Sequence, residues 1–204
     1  MALTQPIRDI KKVKLLLSYY HNQGETRNQV LVTMMLHTAL RVSDILKIKC
    51  DDVYDFSKGR VRKTFILSES KTKKNKVVAL HKNIVKALKS YIAQASPGAP
   101  LILNCRSGNA ISRIQAYRII AEAARTIGID HNVGCHSLRK TFGYLAWTSG
   151  ASPVVIMEIY NHSSFAITKR YLGVNQDDQN AVYLGLNFNT RTKNLTLNDK
   201  LNLI

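Results

Sequence analysis

Six side chains in this 204-residue sequence have types and positions that could act together: Arg41, Lys71, His136, Arg139, His162 and Tyr171. Tyr171 lies in the stretch NHSSFAITKRYLG, residues 161 to 173, nine residues after His162 and directly after Lys169 and Arg170. A free tyrosine has a pKa near 10, so at neutral pH it is a poor nucleophile until a base or a cationic field draws off its proton. The other five residues are of the types that give such help. Arg41 ends an apolar stretch in HTALRVSDIL, where a charge is costly unless it faces a partner or a site. His136 and Arg139 in CHSLRK are spaced i, i+3, so both project from one face of a helix start. Lys71 falls in the basic tip of a hairpin, and His162 follows a helix stop at Asn161. Taken singly, each has an ordinary role: Tyr171 as a core aromatic, Arg41 as a partner of Asp44, the His136 pair as a cap, Lys71 as one solvated lysine among several.

The elements that must position these residues are mainly helical. Ile10, Val13, Leu16, Leu17 and Tyr20 recur at helical spacing with lysines on the other face, which predicts a surface helix. Residues 29 to 40 are apolar all round, the mark of a helix in the middle of a domain, and a short helix is expected from Ser43. At 60 to 80 the pattern changes: RVRKTFILS and NKVVAL are rich in β-branched residues and flank the polar ESKTKK, predicting an antiparallel hairpin. A helical stripe returns at 83 to 94 and is broken by SPGAP. RIQAYRIIAEAARTIG closes at Gly128, HSLRKTFGYLAWTSG stops at Gly150, and SPVVIMEIYN starts with a Ser cap and Pro at the first helical position. A short helix carrying Tyr171 and a last one around 176 to 186 follow. About nine helices to one small antiparallel sheet make the expected fold mainly α (α+β), with a catalytic-type domain over 1–186. Residues 187–204 lose the helical stripe and read as a tail.

Bulk composition narrows the class. A chain with 45% hydrophobic and 21% charged residues is a globular one with enough apolar material for a core. Its longest apolar run, VLVTMML, is far short of the roughly 20 residues that span a bilayer. The N-terminus turns charged too early for a secretory signal, and three scattered cysteines give no disulfide framework, so an intracellular setting is expected. Thirty Lys and Arg against 13 Asp and Glu leave a formal charge of +17. That excess calls for a polyanion, and nucleic acid is the natural one because phosphate neutralisation releases counterions. His131 and Cys135 are spaced i, i+4, but no companion ligand pair accompanies them, and no phosphate-cradling glycine motif is present.

Five segments, in order, resemble the tyrosine recombinase or phage-integrase family: ALRVSD, SKTKKNKVVAL, HSLRKTF, NHSS and KRYLG. The resemblance runs from about residue 8 to 185. Two departures stand out, Asn161 where the family usually has Gly and Tyr160 where Leu is common, and both bear on the turn before His162. The resemblance implies that Arg41, Lys71, His136, Arg139 and His162 surround a DNA phosphate that Tyr171 attacks, giving a 3′-phosphotyrosine. It further implies a double-stranded DNA partner, a homo-oligomer on DNA (dimer to tetramer) formed from monomers, a C-terminal tail exchanged between protomers, and no cofactor, metal or membrane. The setting it implies is cytoplasmic, bacterial or phage-type and nucleoid-associated. Within that chemistry a type IB topoisomerase is the alternative. From another class comes a non-catalytic DNA-binding regulator, for which residues 151–172 could pass as a helix-turn-helix.

Overall fold

A computed structural model describes residues 4–70, 74–93, 95–174 and 176–185. The chain divides into a main body ending at Gly173 and a C-terminal unit beginning at Val174. The main body is built on α2 (Thr26–Thr38), in which Val30, Leu31, Val32, Met34, Met35 and Leu36 are all buried. A helix apolar on every side has to be covered on every side. Its cover is α1 (Ile10–Asn22), α5 (Lys82–Ile92) and α7 (Cys135–Thr148). The expected stripe on α1 supplies Val13, Leu16 and Tyr20 to the core, and that on α5 supplies Ile84, Ala87, Leu88, Tyr91 and Ile92.

The remaining helices complete the body. They are α3 (Val42–Ile45), α4 (Cys50–Val53), α6 (Arg113–Thr126), α8 (Pro153–Tyr160) and α9 (Phe165–Leu172). The Ser152 hydroxyl accepts from Val154 N at 3.3 Å with Pro153 in the first turn, as the sequence leads one to expect. In the C-terminal unit the described helix is α10 (Gln176–Gly185), on which Val182, Tyr183 and Leu184 are exposed. The expected tail, 187–204, lies outside the described residues. Among the described residues no helix is long and apolar enough to cross a membrane.

The strand region differs from expectation in one respect. The run from 60 to 68 is two strands: β2 (Arg60–Val61) pairs with β1 (Tyr54–Asp55), and β3 (Thr64–Ser68) pairs with β4 (Asn75–Ala79). The break falls at Arg62, whose N–H goes to Val53 O at 2.9 Å and whose Nε goes to Asp51 O at 3.0 Å. Sequence patterning also overlooked α4, because one helical turn carries no periodicity. In the β3–β4 hairpin Phe65 faces Val78 on the buried side, while the Ile66–Val77 pair is exposed.

Among the described residues two that are not glycine hold left-handed backbone, Ala39 at φ 56° and Asn161 at φ 55°. Each ends a helix, and each sits directly before a functional candidate or its neighbour. Asn tolerates this conformation through its short polar side chain, so Asn161 preserves the turn that glycine serves elsewhere. Ala39 has no such relief. Replacing Ala39 by Gly removes the Cβ conflict at the cost of extra chain entropy, and we expect a net gain of about 0.5–1 kcal/mol in urea unfolding.

Candidate active site

The expected residues, Lys71 apart, converge on the mouth formed by the end of α2, the start of α7 and the helices α8 and α9. Arg139, only 1% exposed, is the most deeply placed. One guanidinium nitrogen donates to Ala39 O and another to Tyr160 O at 3.2 Å, while its buried Nε has no hydrogen-bond partner among the described residues. Burial, and the neighbouring Arg41 after it, pull its pKa below the ordinary arginine value. The left-handed turn at Ala39 ends α2, and the carbonyl of this residue is the one Arg139 reaches.

Arg41 follows two residues after Ala39 and is the N-cap residue of α3. The expected pairing with Asp44 exists at 3.9 Å, but a closer partner is Glu69, with Nη1 3.1 Å from Oε2. Both carboxylates are fully buried. Asp44 Oδ1 also accepts from Ser70 N at 2.8 Å, and Glu69 Oε2 accepts from Asn161 Nδ2 at 3.2 Å. The two acids thus fasten α3, the hairpin and the turn before His162 to one another.

Tyr171 has three aromatic neighbours. The rings of His136 (4.9 Å, 71°) and His162 (4.7 Å, 60°) meet it edge to face, and Tyr160 lies 5.1 Å away at 50°. Arg139 is 5.8 Å from the ring centre, as is Lys140 Nζ. His136 stands in the first turn of α7, where Gly134 N donates to Ser137 Oγ at 3.2 Å. Burial pushes the His136 pKa down, helped by Lys140, Arg139 and Arg41 in that order, which favours the neutral ring. His162 is oriented through Nδ1, 3.1 Å from the buried hydroxyl of Thr168 on α9. The end of α9 is braced from the N-terminal segment, where Arg8 donates to Gly173 O.

Lys71 lies outside the described residues; its neighbour Ser70 is the one tied to Asp44. A second hairpin lysine, which the motif reading passed over, is half-buried in the site. Lys76 in β4 donates from Nζ to Ile159 O near the end of α8. Burial lowers its pKa to about 8, Glu69 opposing this and Arg139 and Arg41 adding to it. Strand alternation could have found it, since Lys76 is two residues from the inward Val78 and so shares its face. Lys140, whose Nζ donates to Thr4 O at 2.8 Å, and Tyr160 carried no comparable signal.

Solved structures of tyrosine recombinases share this architecture. The XerA recombinase superposes with a TM-score of 0.73 over 91% of this chain and 65% of its own, at 22% identity. The lambda integrase dimer bound to a COC′ core site gives 0.65 over 88% and 50%, at 16% identity. The fold is therefore that of a tyrosine recombinase catalytic domain. The phage integrase family profile matches residues 9–178. A probable integrase/recombinase of Bacillus subtilis, YoeC, is 34% identical over 183 residues, covering 90% of this chain and 97% of the relative. The chain belongs to the phage integrase family. It spans about half the length of other relatives such as the tyrosine recombinase XerD of Mycobacterium tuberculosis, 27% identical over 47% of that protein.

Lys76 gives the site a measurable signature. Its pKa of about 8 lies below the ordinary 10.5, so between these values the unfolded chain binds more protons than the native one and stability rises with pH. Measured by denaturant unfolding, the stability of the wild type relative to Lys76→Met is expected to increase from pH 8 towards 10.5. The difference between the two proteins isolates Lys76 from Cys50 and Cys135, whose thiols burial pushes up to about 11 and which act in the opposite sense.

Proposed function

We propose that this chain cuts and rejoins DNA at specific sites, with Tyr171 as nucleophile and without a metal or cofactor. The observation that carries the reading is the buried Arg139 guanidinium, its Nε unpaired among the described residues, beside a tyrosine ring that two histidines flank. Arg139 is placed to meet an anion, and family membership makes a DNA phosphodiester the fitting one.

In the proposed reaction the Tyr171 hydroxyl oxygen bonds to the phosphorus while His136 takes the phenolic proton. Charge gathers on the non-bridging oxygens, where Arg41, Arg139 and His162 donate hydrogen bonds; one such donor is worth about 3 kcal/mol of barrier. The phosphorus bond to the 5′ oxygen breaks, and that oxygen receives a proton, for which Lys71 is the candidate donor. The 3′-phosphotyrosine keeps the phosphodiester's energy. A 5′ hydroxyl from another strand then attacks it, and the proton movements reverse.

The proposal extends to assembly. Double-stranded DNA is the partner, bound by several copies of this chain acting together, and residues 187–204 are proposed to dock on a neighbouring protomer. The polar NFNTRTKN can span a gap and is followed by Leu195, Leu197, Leu201, Leu203 and Ile204, an apolar set that calls for cover. A cytoplasmic, nucleoid-associated setting follows from the substrate.

Incubating the protein with a pool of nicked duplexes of randomised sequence, and recovering adducts that survive denaturation, tests the reading and identifies the site. Tyr171→Phe is expected to give none; adduct formation by that variant would refute Tyr171 as nucleophile. The pH profile of adduct formation reports on His136. A base must be neutral, and its pKa is lowered, so the acid limb is expected below the ordinary value of 6.5. Lys140→Met removes the largest cationic contribution to that lowering, and should move the limb upward.

A further inference from the structure

The structure assigns Tyr160, the last residue of α8, as a positioning residue that holds Arg139, His162 and Tyr171 in one arrangement. The inference rests on the recombinase reading above, and goes beyond it because none of the motif residues is Tyr160.

Tyr160 is fully buried and touches three members of the site with different atoms. Its ring stacks on His162 at 5.0 Å and 22°, and lies 4.6 Å from the Arg139 guanidinium carbon. Its carbonyl accepts from Arg139 Nη2 at 3.2 Å. The hydroxyl donates to Arg139 O at 2.6 Å and lies directly against Gly143. Arg139 O belongs to the backbone of α7, so the phenol is fastened to the helix that carries Arg139. Tyr171 completes the set at 5.1 Å.

The partner position shows that this placement is built in. A Cβ on Gly143 would stand 2.2 Å from the Tyr160 hydroxyl oxygen and 2.9 Å from two ring carbons. Real side chains do not approach so closely, and the phenol has no room to retreat, because it is enclosed by α7 and stacked on His162. Glycine inside a helix costs about 1 kcal/mol relative to alanine, a cost that makes sense here as the space the phenol occupies. A leucine at this position would have neither the flat face that orders His162 nor the hydroxyl that bonds to α7. This chain therefore aims its cations by a ring, where a leucine could only pack.

Single-turnover adduct formation on the nicked duplex recovered above, with DNA affinity measured in parallel, tests the assignment. Tyr160→Leu is expected to slow adduct formation by about 10- to 100-fold, the scale of a small misplacement of reacting groups, while affinity changes less than about 2-fold. Tyr160→Phe keeps the ring and loses only the hydroxyl's bond to Arg139 O, so its rate should stay within about 3-fold of wild type. Gly143→Ala, which displaces the phenol without altering it, should slow adduct formation alone and add nothing further in a Tyr160→Leu background. If Tyr160→Leu does not fold, Gly143→Ala alone decides the matter, a wild-type rate counting against the assignment. Tyr160→Leu at the wild-type rate, Tyr160→Phe as slow as Tyr160→Leu, or a loss that follows DNA affinity would each overturn it. No adduct from the wild-type protein on any duplex would instead overturn the recombinase reading, and this inference with it.

Discussion

Burial of the Arg139 charge is the constraint around which the main body is arranged. A guanidinium removed from water loses several kcal/mol of solvation, which hydrogen bonds to neutral carbonyls restore only in part. The carbonyls of Ala39 and Tyr160 are delivered by the ends of two different helices, α2 and α8, and Arg139 itself comes from a third. The left-handed residue at the end of α2 is best understood in this light. Strain of about 1–2 kcal/mol at Ala39 persists because the surrounding packing fixes the turn and the turn supplies an acceptor. A charge kept in this way, with its Nε unpaired among the described residues, is an oriented donor whose reorganisation has been met in folding and is not met again when an anion arrives.

The two buried acids play a different part from the cations. Asp44 and Glu69 both face Arg41, but each also grips a separate segment, Asp44 the backbone of Ser70 and Glu69 the side chain of Asn161. Removing one partner of such a buried set costs about 3–5 kcal/mol, more than a buried leucine contributes, so these acids are as structural as the apolar core. Their negative charge is nevertheless outweighed by Arg41, Lys76, Arg139 and Lys140. The pocket stays net positive while its members are held at fixed distances, and this excess adds to burial, the larger cause, in lowering the pKa of His136.

Much of this was legible in the sequence, and the part that was not has a common cause. Arg41, His136, Arg139, His162 and Tyr171 stand at helix ends, and helix ends are announced by caps, glycines and breaks in periodicity. The structure brings these five together. Lys76, Glu69 and Thr168 lie inside elements or beside them and look like ordinary strand or helix residues until the packing partner is known, and Tyr160, though it stood out as a departure from the family pattern, gave no sign of what it touches. The register of the hairpin alone would have turned Lys76 inward. Nothing in the sequence could pair Tyr160 with Gly143, because that contact depends on how α8 crosses α7. The split of the long strand at Arg62 was hidden for the same reason, its cause being bonds to residues about ten positions away.

The proposed nucleophile and the cations around it sit on elements of unequal intrinsic stability. Arg139 and His136 belong to α7, a helix of 14 residues packed against α2, whereas Tyr171 belongs to α9, a helix of eight. Isolated helices shorter than about 12–15 residues are marginal in water, so α9 depends on what its side chains reach. Those anchors lie along its second half. Thr168 meets His162, Tyr171 packs on the rings of His136, Tyr160 and His162, Leu172 is buried, and Arg8 holds the carbonyl of Gly173 where the chain turns left-handed. The cationic cradle is thus fixed by the core, while the tyrosine is fixed by the side-chain contacts of a short helix. Such an arrangement suits a reaction in which the same tyrosine must attack, remain attached and then be displaced. The phosphate's environment has to stay constant through all three stages, and only the bond to Tyr171 has to form and break.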